Sequence, residues 1–175
     1  MHRRFPVGAG LLFGLAVGGF FEGVVLHQLL QWHHMLSAVD PPDTLSRLRL
    51  NTFWDGIFHG TTYLFVIAGM LLLWRSGHRG EMDWSLRPLL GSLSLGWGLF
   101  NTAEGLISHQ LLGLHHVNEL VPRQQWWIWD LAFLLWGLLM IVLGAHLLNW
   151  MRDTSSNSNG SDQVSAPIGV RGNLG

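Results

Sequence analysis

A carboxylate followed by three imidazoles recurs at one spacing in this chain. The run Glu-Gly-x-x-x-His-Gln-Leu-Leu-x-x-His-His spans Glu22 to His34 and returns from Glu104 to His116, with eight of its thirteen positions identical. Both copies open inside stretches apolar enough to cross a bilayer, where ionisable side chains are costly and mark functional positions. Two more carboxylates, Asp55 and Asp130, follow Trp54 and Trp129 in two other apolar stretches. His59 stands four residues after Asp55, so the two share a helical face and form a two-ligand arrangement suited to a metal. Imidazole with carboxylate fits iron, zinc or copper(II). Copper(I) is disfavoured, because the chain has no Cys and only Met35 lies near the motif.

The candidate metal ligands are therefore Glu22, His27, His33, His34, Asp55, His59, Glu104, His109, His115, His116 and Asp130. His27, His59 and His109 lead this set, and the carboxylates complete or neutralise it. The adjacent pairs His33-His34 and His115-His116 are expected in loops, capping the site or admitting its ligand. A bis-imidazole haem b held between His27 and His109 is the alternative cofactor. The Glu-x-x-His spacing of soluble di-iron bundles is not matched, since four residues separate Glu22 from His27. On an α-helix those two lie about 140° apart, on different stripes. Two other function classes stay open: a proton or ion relay through Glu22 and Glu104, and a ligand-free polar core that fixes helix register. No nucleophile motif, phosphate loop or dinucleotide fingerprint is present, and the sequence leaves open whether the protein is an enzyme.

Long helices must position these groups. Of the 175 residues, 49% are hydrophobic and 12% charged, against roughly 25% charged in a soluble domain. Four apolar segments, about 7–30, 53–74, 89–112 and 126–150, reach the ~20 residues a membrane helix needs. Trp32, Trp54, Trp74, Trp126, Trp127 and Trp150 sit near their ends, as an interfacial belt does. The first segment is longer than a signal-peptide core and no small-x-small cleavage site follows it, so it is read as a retained span. All ten cations are Arg. Arg3, Arg4, Arg75, Arg79, Arg87 and Arg152 fall on one side, Arg47, Arg49 and Arg123 on the other, which puts both termini in the cytoplasm. The net charge of −1 argues against nucleic acid as a partner.

The expected fold is all-α: an integral membrane four-helix bundle made of two tandem helical hairpins, about 7–75 and 89–150, within a domain of residues 1–151. Two-helix units return the chain to one side, so the repeat is parallel, with its pseudo-twofold axis along the membrane normal. Gly10, Gly14 and Gly18 on the first helix, and Ser92 and Gly96 on the third, are small residues at the four-residue spacing that lets membrane helices touch. These two helices are the expected inner pair. Counting from the helix ends, Glu22 lies roughly 12 Å from the outer end, and every candidate ligand falls in the outer half. Leu134 stands where His59 would have its counterpart, so twofold symmetry of the site is expected to break there. Residues 152–175, rich in Ser, Asn, Gly and Asp, are expected to form a disordered tail.

The run from Gly18 to His34, the segment Phe53-Trp-Asp-Gly-Ile-Phe-His59, and Asn101-Thr-Ala-Glu-Gly-Leu-Ile-Ser-His109 with His115-His116 resemble a bacterial family catalogued as domain of unknown function 2243. The resemblance covers about residues 7–150. It implies a multi-pass protein of the bacterial inner membrane and carries no catalytic residues. It also points towards respiratory-oxidase assembly, and so towards copper or haem handling. An oxidase assembly factor, a second copy of the chain and the lipid bilayer are the expected partners.

Overall fold

The structure is a computed structural model that describes residues 5–80 and 82–164, with side chains to residue 149. The described residues are helical with no strand: α1 (Val7–Phe20), α2 (Leu45–His78), α3 (Leu86–Glu104) and α4 (Trp126–Val164). The tail expected from residue 152 falls on the end of α4 and on residues outside those described. Two π-helical segments, Phe21–Leu29 and Gly105–Leu111, continue α1 and α3 without a break. Each closes on an i→i+5 bond, Leu30 N–H to Val25 O at 2.8 Å and Leu112 N–H to Ile107 O at 2.8 Å. The chain then leaves the helix through a left-handed residue, Gln31 (φ 50°) after the first and Gly113 (φ 58°) after the second. Gly113 takes that conformation without strain, whereas Gln31 pays for its Cβ.

Val7–Leu29, Leu45–His78 and Arg123–Asn149 are long and apolar enough to cross a membrane, with mean hydropathies of 1.9, 1.7 and 2.4. Half of the first stretch is buried, against 11% and 17% of the other two, so α1 is central while α2 and α4 are peripheral. The four helices form a row, α2–α1–α3–α4, in which α1 and α3 are the inner pair and, among the described residues, the α2 and α4 backbones do not come close.

Small residues make that row close. A Cβ on Gly14 would lie 2.2 Å from the Leu93 carbonyl oxygen and 2.8 Å from Gly96 Cα. Gly10 meets Ser92 one turn away, so α1 and α3 run parallel. On the other face of α3, Gly91 approaches Gly144 and Gly98 approaches Gly137, which makes α4 antiparallel to α3. α3 also buries Ser92, Ser94, Asn101 and Glu104 between its neighbours.

Candidate metal centre

Ten side chains from seven segments converge where the two π segments end. The first π segment brings Glu22 and His27, and the loop after it brings His33 and His34. Glu104 closes α3, the second π segment carries His109, and its loop carries His115 and His116. α2 and α4 add Asp55 and Asp130. The i→i+5 ladder places residue i+5 over residue i, as i+4 lies over i in an α-helix. Glu104 and His109 therefore meet, Oε2 to Nε2, at 3.1 Å. The α-helical expectation of two separate stripes is corrected by this winding.

The loop histidines lie deeper than a cap. His33 is 2% exposed and His115 is fully buried. Their rings stack in parallel, 4.6 Å between centroids and 4° between planes. His27 stands edge-on to His33 at 4.5 Å, and His109 edge-on to His115 at 4.9 Å. His33 Nδ1 donates to the Val117 carbonyl at 2.9 Å, and His115 Nδ1 donates to the Met35 carbonyl at 3.1 Å. A carbonyl only accepts, so both protons sit on Nδ1 and both Nε2 atoms are turned inward. The two loops thus clasp each other through their histidines.

The carboxylates divide by role. Asp55 accepts from the Met35 N–H at 2.8 Å and from His34 Nδ1 at 2.7 Å, with Oδ1 3.1 Å from His27 Nδ1. Asp130 repeats this with the Val117 N–H at 3.0 Å, His116 Nδ1 at 2.6 Å and His109 Nδ1 at 3.5 Å. Glu22 and Glu104 instead face the imidazoles directly. His115 Nε2 lies 3.0 Å from Glu104 Oε1 and 3.6 Å from Glu22 Oε1, and His33 Nε2 lies 3.7 Å from Glu22 Oε1. Both oxygens of both glutamates, and Nε2 of His27, His33, His109 and His115, are buried with no polar partner outside this group. Burial holds His33 well below the ordinary imidazole range, helped by repulsion from His115 and His27. Burial presses His115 the same way, but Glu104 and Glu22 outweigh it and raise its pKa to about 10.

Two sets of ligand atoms lie within 4.8 Å of one another: Glu22, His27, His33 and His115, and Glu22, Glu104, His109 and His115. His34, Asp55, His116 and Asp130 lie outside both sets and touch them through hydrogen bonds or ion pairs. His59 also lies outside: its Nδ1 donates to the Asp55 carbonyl at 2.6 Å, and its ring covers Gly23. Leu134 covers Gly105 in the same manner. Sequence reasoning did not single out Phe58 and Phe133, which wall His27 and His109 at 5.5 and 5.4 Å. A signal was present, since each lies three residues after the Asp of a Trp-Asp pair. It also missed Asn51, fully buried, which accepts from the Leu36 N–H and donates to the Asp40 carbonyl, holding the first loop. Gln110 reaches Asp130 at 3.4 Å, as a side chain orienting the site would, whereas Gln28 is exposed.

A family model described as "Predicted membrane protein (DUF2243)" matches residues 9–151, most of the chain and all of the centre. The chain belongs to this family. No curated protein and no solved structure matches it. DUF2243 membership establishes a membrane protein, and among the described residues a buried His/Glu group lies at metal-binding distances.

Proposed function

We propose that this DUF2243 protein binds a transition metal of the iron, copper or zinc class through Glu22, His27, His33, Glu104, His109 and His115. The supporting observation is the inner edge of the cluster: four imidazole Nε2 atoms and four carboxylate oxygens are buried together, with no polar partner outside the cluster. Of the two glutamates, only Glu104 comes within hydrogen-bond distance of imidazoles, His109 at 3.1 Å and His115 at 3.0 Å, so the Glu22 oxygens and Nε2 of His27 and His33 stay unsatisfied, at about 1–3 kcal/mol each. Metal-binding histidines characteristically give their other N–H to a carbonyl or carboxylate, which matches His33 and His115 on carbonyls and His27 and His109 beside Asp55 and Asp130. Asp55, Asp130, His34 and His116 then orient the ligands, and His59 packs beside them. Haem b is disfavoured, because imidazole rings in mutual contact leave no slot for a porphyrin. A bound ion supplies Lewis-acid or redox chemistry, and the chain supplies a dry cavity and fixed ligands.

The proposed setting is a bacterial inner membrane with both termini cytoplasmic. α3 crosses beside the three apolar helices, and the halves are a duplicated hairpin. Equivalent contacts in the two halves, Asp55 with His27 and His34 and Asp130 with His109 and His116, support that duplication. The centre serves metal handling beside respiratory-oxidase assembly. Those same contact chains also favour a second reading, proton movement from His34 and His116 towards Glu22 and Glu104. It ranks lower because α1 has no ionisable residue from Val7 to Phe20 to carry a proton onward.

The test is to purify the full-length protein in mild detergent without a polyhistidine tag and measure bound metals and the visible spectrum. Wild type is expected to carry iron, copper or zinc, reduced in His33→Ala and His115→Ala and unchanged in His59→Ala. A Soret band would select haem instead. A protein that stays metal-free after reconstitution would sink the metal reading.

A further inference from the structure

We propose that the centre is dinuclear, with Glu22 bridging two metal ions; this rests on the metal reading above. The two ligand sets overlap in Glu22 and His115. Glu22 is buried and both its oxygens are unpartnered, so one carboxylate can give a separate donor to each ion. His115 cannot do this, because its Nδ1 is tied to the Met35 carbonyl and only Nε2 remains. At 3.0 Å from Glu104 and 3.6 Å from Glu22, it belongs with Glu104 and His109. One ion takes His27, His33 and one oxygen of Glu22. The other takes His109, His115 and Glu104, with the second oxygen of Glu22 completing the bridge.

The Glu104 spacings fit the shell of one ion, while Glu22 Oε1 stands slightly farther out and almost equally far from His33 and His115, between the two sets. Ligands bound at roughly 2.0–2.1 Å around one ion sit about 3–3.5 Å from each other. Glu104 to His109 is 3.1 Å, Glu104 to His115 is 3.0 Å, and Glu22 to His33 is 3.7 Å. Charge gives a separate argument. Glu22, Asp55, Glu104 and Asp130 are buried, and no Arg is buried among the described residues. One divalent ion matches only two of these four carboxylates in charge. Two divalent ions balance all four while every imidazole stays neutral, as ligation requires. Each half of the chain provides two of the carboxylates and two of the inner imidazoles, which is one ion's share.

The test uses the untagged full chain in detergent, stripped with a chelator, dialysed against Zn(II) and passed through gel filtration before metal analysis. The expected result is two zinc ions per chain, falling to one in His27→Ala and to one in His109→Ala. Reloaded with Cu(II), the wild type is expected to show a half-field EPR transition from two coppers sharing a ligand. One zinc per wild-type chain would overturn the dinuclear centre and leave a mononuclear one standing. No zinc would remove both readings. Two zinc ions with magnetically isolated coppers would overturn the bridge through Glu22.

Discussion

Asp55 meets three groups at once: the Met35 N–H, the His34 ring and the His27 ring. Asp130 does the same for Val117, His116 and His109. Each aspartate joins the start of a returning loop to the ligand-bearing π segment, and its charge sits behind an imidazole that faces the centre. An amide keeps the shape but puts an N–H donor in place of one acceptor, so it cannot serve both the ring and the backbone. Asp55→Asn and Asp130→Asn are each expected to weaken metal binding about 10–100-fold, the usual effect of losing an orienting partner. Competition with a chromophoric chelator measures this, and unchanged affinity in both variants would remove the orienting role. At this scale the sequence is legible where a residue is out of place. Glu22, His27, Glu104 and His109 stand out because nothing apolar explains them. His33 and His115 are harder to read, because a histidine beyond a helix end looks like an interfacial residue until its loop is seen folding inward.

The π segments set the direction in which those residues point. An α-helical wheel separates Glu22 from His27 by about 140°, and only the wider winding puts them on one side. Single-residue propensities carry no signal for this, because the i→i+5 ladder follows from packing and from the left-handed exits at Gln31 and Gly113. The small-residue ladder, by contrast, is readable from spacing alone, and the α1–α3 contact falls where Gly14 and Gly96 predict it. Gly14 is the sharpest test of what that contact does. A side chain there runs into the backbone of Leu93 and Gly96, which cannot rotate aside. Gly14→Leu is expected to force α1 from α3 and destabilise the protein by about 1–3 kcal/mol, as overpacking does. It should also loosen metal binding, since Glu22 and Glu104 ride on those helices. Gly60, whose Cβ would meet nothing within 4 Å, supplies the control: Gly60→Leu should leave both properties intact. Thermal unfolding and metal retention of the two variants measure the difference.

For the whole molecule, polarity is segregated along the helices. The buried carboxylates and imidazoles gather where α1 and α3 end and α2 and α4 begin, while α1 from Val7 to Phe20 is purely apolar. Arginines set which side this end faces. Arg75, Arg79 and Arg87 flank the α2–α3 connection at the far end, and only Arg47, Arg49 and Arg123 lie near the centre. In the proposed orientation, the positive-inside bias turns the centre away from the cytoplasm, and a metal would arrive from outside. Because the chain has no Cys, single cysteines can report this without background labelling. Val39 and Leu120 are exposed in the two loops beside the centre, and Arg79 is exposed at the opposite end. In intact bacterial cells expressing the protein, a membrane-impermeant maleimide is expected to label Val39→Cys and Leu120→Cys. Arg79→Cys should react only after the cells are broken. The reverse pattern would invert the protein and make the cytoplasm the source of the metal. Labelling of Val39→Cys without Leu120→Cys would place the two loops on opposite sides, which the clasp between His33 and His115 does not allow.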